Sequence, residues 1–89
     1  MKVVFLKSFL KDIKKIKDKK TKGKIKDLIL EIEAAETVND INNLEKMKGY
    51  NIAYRIRMGG YRVGFYKESE CVELARFVKR NDIYKVFPK

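Results

Sequence analysis

Two alternating runs of apolar and polar residues, joined by Gly59-Gly60, occupy residues 52–66. Alternation with a period of two is typical of a half-buried strand, and a glycine pair between two such runs predicts a β-hairpin with a two-residue turn. Both central residues of a type I′ turn have positive φ, so the glycine pair favours that type. The turn also sets the register of the hairpin, in which Arg57 lies opposite Arg62.

The predicted register gives the hairpin one apolar face and one basic face. The apolar face is expected to pack against helices, while the basic face carries Arg55, Arg57 and Arg62 beside Gly64, whose missing side chain leaves space. Like charges directly opposed in a sheet cost about 0.2–1 kcal/mol per pair. The cluster therefore favours a site for a multivalent anion. The alternative is a solvated outer face, because such faces often carry Arg and Lys.

Periodicity predicts the elements that precede the hairpin. Residues 2–6 are rich in β-branched and aromatic side chains, which is typical of a strand. Two amphipathic helices follow, over residues 9–17 with Ser8 as N-cap and over residues 24–36, with a break at residues 18–23. Two adjacent helices of this kind predict an αα-hairpin lying on a sheet.

The remaining segments are a connection, a third long strand and a short C-terminal element. Residues 37–49 contain three Asn and end in Gly, which predicts a connection with a turn of helix, attached to the core by Leu44 and Met47. Residues 71–78 predict a strand whose alternation is irregular near its end, and residues 81–87 a short helix or turn.

This order of elements predicts a single domain over residues 1–89 with an α+β fold. The order is β-α-α-β-β-β with a short terminal helix, and two helices pack on one face of a mostly antiparallel sheet. A chain of 89 residues is too short for two cores, and its 45% hydrophobic content is ordinary for a folded domain.

The charge is large and unevenly distributed. The net charge is +10, made of +8 in residues 1–30, −3 in residues 31–50 and +5 in residues 51–89, and all five arginines lie in the last block. An arginine fork grips phosphate with two hydrogen bonds, whereas lysine acts as a hydrated point charge. The sequence therefore predicts a polyanionic partner, with a site in the C-terminal half and electrostatic steering from the N-terminal half.

Missing residue types exclude several classes of chemistry. The chain has no His and one Cys, which excludes histidine-based acid–base catalysis, an internal disulfide and a His- or Cys-based metal site. No spacing indicates a cofactor-binding loop, so we expect neither a metal nor a small-molecule cofactor. The longest apolar run near the start has four residues, which predicts no membrane association and a cytoplasmic protein.

Three motifs together resemble the RelE/ParE superfamily of toxins from toxin–antitoxin pairs, and its RelE-like branch in particular. They are Tyr54-Arg55-Ile56-Arg57 on the first hairpin strand, Gly60-Tyr61-Arg62-Val63 on the second, and Arg80-Asn81-Asp82-Ile83-Tyr84 near the end. The order of predicted elements also matches that family, so the resemblance spans nearly the whole chain. It implies a type II toxin that acts as a ribosome-dependent mRNA endoribonuclease (an mRNA interferase) and is held inactive by a cognate antitoxin.

The resemblance also implies the site residues. They are Arg55, Arg57, Arg62, Arg80 and Tyr84, with mRNA on the ribosome as substrate and the RNA 2′-hydroxyl as nucleophile. Lys79 stands where many relatives carry His, so Lys79 and Tyr84 are the two candidates for proton transfer.

Two other functions remain open at this stage. A ParE-like toxin inhibits DNA gyrase by binding, but such members tend to lack the full basic-plus-tyrosine set that is present here. The other alternative is a catalytically weak or inactive relative that binds nucleic acid through its basic surface.

Overall fold

Five strands form one sheet in the structure, a computed structural model that describes residues 1–88. The strand order is β1-β5-β4-β3-β2, in which β1 pairs parallel with β5 and the other pairs are antiparallel. The elements in chain order are β1 (Lys2–Phe5), α1 (Lys7–Lys14), α2 (Lys19–Ala34), a 3-10 turn (Val38–Asp40), β2 (Leu44–Lys46), β3 (Ala53–Met58), β4 (Tyr61–Glu68), β5 (Cys71–Lys79) and α3 (Ile83–Val86).

Both long helices pack against one face of this sheet, so the predicted α+β architecture is confirmed. Phe9 of α1 and Ile32 of α2 are buried in the same apolar cluster as Val63 and Leu74 of the sheet. Burial of these side chains is the main term that holds the helices on the sheet. None of the helices within residues 1–88 has the length and apolar character that crossing a membrane requires.

The helix boundaries differ from the predicted ones. Helix α1 begins two residues earlier than predicted, with Leu6 as N-cap, and ends at Lys14. Ser8 is therefore not an N-cap, and its hydroxyl donates to the Ala75 carbonyl at 2.6 Å. Helix α2 begins at Lys19 because the Asp18 carboxylate accepts backbone hydrogen bonds in its first turn. Helix therefore covers most of the predicted break.

Helix α1 also completes the free edge of β5. Strand β1 pairs with β5 only as far as Leu74. Beyond that point the Asp12 carboxylate accepts from the Phe77 backbone N–H at 2.9 Å and from the Arg76 guanidinium at 2.7 and 3.1 Å. An exposed strand edge leaves backbone N–H groups unpaired, and Asp12 pairs the one at Phe77. These side-chain bonds therefore fix the position of α1 beside β5.

The hairpin register is confirmed and its turn type is corrected. Strands β3 and β4 pair with Arg57 opposite Arg62 and Arg55 opposite Gly64. Gly59 has a φ of 59° but Gly60 does not have a positive φ, which fits a type II′ turn rather than type I′. The irregularity expected in the third long strand is an offset in the β4–β5 pairing between Gly64 and Phe65.

The segment predicted as a connection contains a strand that the sequence did not reveal. Leu44–Lys46 pairs with β3 and places Glu45 opposite Arg55. The other predictions for this segment hold, since it contains one 3-10 turn, Leu44 packs on the core and Met47 is buried.

A second apolar cluster covers part of the sheet face opposite the long helices. It contains Ile83 of α3 and Phe87, packed with Met47, Ala53 and Ala75. The Phe87 ring fills the space above Gly64, where a β-carbon would come within 2.6 Å of the ring. The open space predicted beside Gly64 is therefore absent, and the same packing holds α3 next to the basic face.

Candidate active site

A pocket of about 430 Å³ lies on the basic face of the sheet, where β3, β4 and the turn after β5 meet. We call it the arginine pocket. The structure brings together in it the five site residues that the RelE resemblance implied, along with two others. Its lining consists of Glu45, Arg55, Arg57, Arg62, Arg80, Asn81 and Tyr84.

The strand arginines reach the pocket because strand alternation places them on one face. Arg57 and Arg62 are directly opposed across the hairpin, as predicted. Arg62 is half-buried, and its Nη1 donates to the carbonyls of Gly59 at 2.9 Å and Tyr61 at 2.8 Å. Bonds to the turn backbone hold this guanidinium in a fixed position, which is the preorganisation that charge stabilisation requires.

The electrostatics of the pocket are dominated by like charge. Burial lowers the pKa of Arg62 below its ordinary value, and the charges of Arg80, Arg55 and Arg57 lower it further, while Glu45 opposes the change. An arginine guanidinium remains protonated at neutral pH in proteins. Four such groups around one pocket therefore create a positive field suited to an anion with more than one charge.

The sequence did not single out Asn81 or Glu45 as site residues, and of these two only Glu45 is charged. Its Oε2 accepts from Arg55 Nη2 at 2.6 Å and from Arg55 Nε at 3.2 Å. The hydrogen bonds and charge of Arg55, with smaller effects of Arg57 and Arg62, lower the pKa of the Glu45 carboxyl below its ordinary value. Glu45 is therefore ionised at neutral pH. Nothing in a three-residue strand signals this placement, which depends on the pairing of β2 with β3.

Tyr84 lies at the mouth of the arginine pocket on α3. Its side chain is 66% exposed, and Arg55 Cζ lies 4.7 Å from the centre of its ring. A guanidinium over an aromatic face at this distance is a cation–π contact. Arg55 is thus fixed between a carboxylate and a phenol ring, and this fixes its orientation in the pocket.

Arg80 and Asn81 come from the turn that follows β5. The Arg80 backbone N–H donates to the Gly60 carbonyl at 3.0 Å, which ties this turn to the hairpin tip. Arg80 and Tyr84 line the same pocket, as their spacing predicted, although the helix itself begins only at Ile83.

Lys79 is the predicted residue that the structure does not bring to the pocket. It pairs with Tyr61, whose ring stacks on Phe77 in the core on the helix side of the sheet. Paired residues of antiparallel strands lie on the same face. Lys79 therefore lies on the face opposite the arginines, and its exposed side chain is absent from the lining of the pocket.

The sequence is similar to that of a curated toxin. It is 38% identical, over 89 residues, to "Toxin RelE3" of Methanocaldococcus jannaschii, covering 99% of this chain and 100% of the relative. The chain belongs to the RelE family of toxins. No protein-family model matches the chain.

Solved structures support the same RelE assignment at the level of the fold. A chain of the RelB–RelE antitoxin–toxin complex from Methanococcus jannaschii superposes with a TM-score of 0.80 at 33% identity, covering 96% of this chain and 99% of that one. The isolated RelE toxin of E. coli gives a TM-score of 0.64 at 20% identity, covering 94% and 90%. The β-α-α-β-β-β-β-α order described above is thus a RelE fold.

Proposed function

We propose that this RelE-family chain is an endoribonuclease that cleaves mRNA on the ribosome. The observation that carries the proposal is the arginine pocket, in which four arginines, a carboxylate and a phenol converge on one sheet face. A phosphodiester passing through a pentacoordinate transition state gains negative charge on its oxygens. Preorganised guanidinium groups stabilise such charge most effectively in a partly desolvated site.

The chemistry needs no nucleophile from the protein, because RNA supplies its own. In the proposed reaction the ribose 2′-oxygen attacks the adjacent phosphorus, the bond from phosphorus to the 5′-oxygen breaks, and the products are a 2′,3′-cyclic phosphate and a 5′-hydroxyl. Glu45 accepts the 2′-hydroxyl proton, because it is the carboxylate that lines the arginine pocket. Tyr84 donates a proton to the departing 5′-oxygen, and solvent restores both groups.

This assignment changes the proton-transfer candidates inferred from sequence. Tyr84 is retained, because it lines the pocket beside Arg55. Lys79 is replaced by Glu45, because Lys79 lies on the opposite face of the sheet. A positioned acid or base contributes about 10²- to 10⁴-fold to a rate.

The test is primer-extension mapping of a reporter mRNA in a translating extract. Wild type is expected to cut within codons, and Arg62→Ala to lower the rate by about 10²- to 10³-fold, as loss of a charge-stabilising donor does. Lys79→Ala is the matched control, because it removes one positive charge one residue away from Arg80 but on the other face. Intact mRNA with wild type would refute the proposed nuclease activity and would favour gyrase inhibition instead.

A second comparison in the same assay tests the proton acceptor. Glu45→Gln keeps the shape of the side chain and removes its basicity, so the cleavage rate should fall by about 100-fold or more. A fall of less than tenfold, with Lys79→Ala inactive, would show that Lys79 is the proton-transfer group and that Glu45 only orients Arg55.

We also propose that the chain binds a cognate antitoxin, as the RelE of the RelB–RelE complex does. An apolar groove of about 630 Å³ between α1 and α2 is the surface that favours such a partner. Leu10 and Leu30 on its walls are 47% and 54% exposed. The lysines along its edges are Lys11, Lys14, Lys22 and Lys26.

This groove has the chemistry for an amphipathic helix with acidic flanks. Leucines at its walls match an apolar helix face, and the four lysines complement acidic residues on either side. Leu30→Asp should therefore weaken antitoxin binding at least tenfold and leave mRNA cleavage unchanged, because the groove and the arginine pocket lie on opposite faces of the sheet. Antitoxin binding equal to that of wild type would show that the antitoxin docks elsewhere.

A further inference from the structure

A second hollow of about 370 Å³ adjoins the arginine pocket. Three residues line both hollows, namely Glu45, Arg55 and Tyr84. The hydrogen-bonded Glu45 and Arg55, together with the Tyr84 ring under the Arg55 guanidinium, therefore lie between the two hollows. The second hollow, which we call the Tyr50 hollow, is completed by Lys46, Met47, Lys48, Tyr50, Phe87 and Pro88.

The backbone of Tyr50 is positioned by the turn that joins β2 to β3. Met47 is buried and its N–H donates to the Ala53 carbonyl at 2.9 Å, which anchors the base of the turn. Gly49 has a φ of 85°, and the Tyr50 N–H donates to the Met47 carbonyl at 3.2 Å. Tyr50 is 48% exposed and lines the hollow.

The hollow combines the two features by which proteins hold single-stranded nucleic acid. Two exposed aromatic rings, Tyr50 and Tyr84, line it, and Lys46 and Lys48 lie beside them. Aromatic rings stack on bases, and adjacent cations follow the phosphate backbone. One face of Tyr84 is already covered by Arg55, so Tyr50 supplies the second aromatic surface.

We propose that the Tyr50 hollow binds the base of a nucleotide next to the phosphate held in the arginine pocket, with the Tyr50 ring as its stacking surface. The inference rests on the proposed function, because it takes RNA as the ligand. A third hollow runs on from it along residues 46–51. Each hollow thus shares lining residues with the next, and Lys46 and Lys48, which line two of them, bind the phosphates that flank the stacked base.

The experiment uses short single-stranded RNA in which 2′-O-methyl riboses prevent cleavage. The fluorescent base 2-aminopurine is placed at each position in turn, since stacking on an aromatic ring quenches it. Wild type should quench one position strongly. Tyr50→Ala should lose that quenching and bind about tenfold more weakly, whereas Tyr50→Phe should behave as wild type.

An abasic nucleotide at the quenched position provides the second arm. It should weaken binding to wild type about tenfold and leave binding to Tyr50→Ala unchanged, because the two changes remove the same contact. Unchanged RNA binding by Tyr50→Ala, or an equal loss with Tyr50→Phe, would overturn the stacking role. Weakened antitoxin binding with unchanged RNA binding would show instead that Tyr50 is a protein contact.

These outcomes are separable from those of the cleavage assay. Base-specific quenching without mRNA cleavage would support base binding in the Tyr50 hollow and refute the proposed nuclease activity. Cleavage by wild type without quenching would refute base binding in the Tyr50 hollow and support the proposed nuclease activity.

Discussion

At the scale of single residues, Arg55 connects two groups of the candidate site, the Glu45 carboxylate and the Tyr84 ring. It donates two hydrogen bonds to Glu45, covers the Tyr84 ring and lines both the arginine pocket and the Tyr50 hollow. A planar guanidinium can do this because its edge donates while its face stacks. Lysine at this position would keep the charge and lose the stacking.

The Glu45 carboxyl is expected to titrate below its ordinary pKa of 4.5, and removing Arg55 should raise it. A lowered folded pKa means that the pair stabilises the fold above the unfolded pKa, and that this stabilisation is lost as the pH falls through the folded pKa. Carbon-13 NMR of the side-chain carboxyl in wild type and Arg55→Ala measures both values. An unchanged pKa in Arg55→Ala would show that Arg57 and Arg62 set it instead.

At the scale of elements, a buried carboxylate joins α1 to β5, in addition to the Ser8–Ala75 hydrogen bond and the apolar packing of Phe9. Asp12 is 8% exposed and accepts three hydrogen bonds from Arg76 and the Phe77 backbone. Removing one member of a buried ion pair costs more than removing both, because an unpaired charge is left behind.

Asp12→Ala should lower the free energy of unfolding by about 3 kcal/mol. The double variant Asp12→Ala with Arg76→Ala should recover part of this loss, because it removes the uncompensated charge. Urea unfolding of both variants is the measurement, with Lys11→Ala on the exposed side of α1 as control. A loss below 1 kcal/mol in Asp12→Ala would mean that water replaces the carboxylate.

The position of α3 depends on a contact with the sheet that only glycine permits. A β-carbon at Gly64 would lie 2.6 to 2.9 Å from three atoms of the buried Phe87 ring. Gly64→Ala should cost about 1–3 kcal/mol through overpacking. It should also slow the proposed mRNA cleavage, since displacing Phe87 would move the short helix that carries Tyr84.

Gly60→Ala is the matched control for this prediction. A β-carbon at Gly60 would meet no atom within 4 Å, and its φ is not positive. Stability and cleavage should therefore stay close to wild type. Equal effects of the two substitutions would mean that hairpin flexibility, rather than the Phe87 contact, is what alanine disturbs.

At the scale of the whole molecule, the charge of +10 should make the proposed RNA binding strongly dependent on salt. Each phosphate neutralised on a single strand contributes about −0.7 to the slope of log affinity against log salt. Arg57→Ala should therefore reduce the magnitude of this slope by about 0.7, because Arg57 lines the arginine pocket and would lose one phosphate contact.

Lys26→Ala is the control for the salt dependence. It removes the same charge from the helix side of the sheet, at the edge of the apolar groove. The slope measured by fluorescence anisotropy with uncleavable RNA should then equal that of wild type. An equal reduction by both variants would indicate that RNA contacts both faces of the sheet.

The sequence by itself determined the features that depend on local pattern. Alternation and the Gly-Gly turn predicted the hairpin register, and that register placed Arg55, Arg57 and Arg62 on one face. Apolar periodicity predicted two helices on the other face. These inferences succeed because strand and helix periods are properties of neighbouring residues, and a hairpin is the most local of pairings.

Only the tertiary structure decided the features that depend on distant pairing. Glu45 enters the site through a three-residue strand, Phe87 fills the space over Gly64, and Lys79 lies on the wrong face for the role inferred from sequence. The start of α2 was missed because charged residues that follow its Asp18 cap hide the helical period. The positions of Glu45, Phe87 and Lys79 depend on which elements pack together. Apolar burial and strand pairing determine that packing over the whole chain.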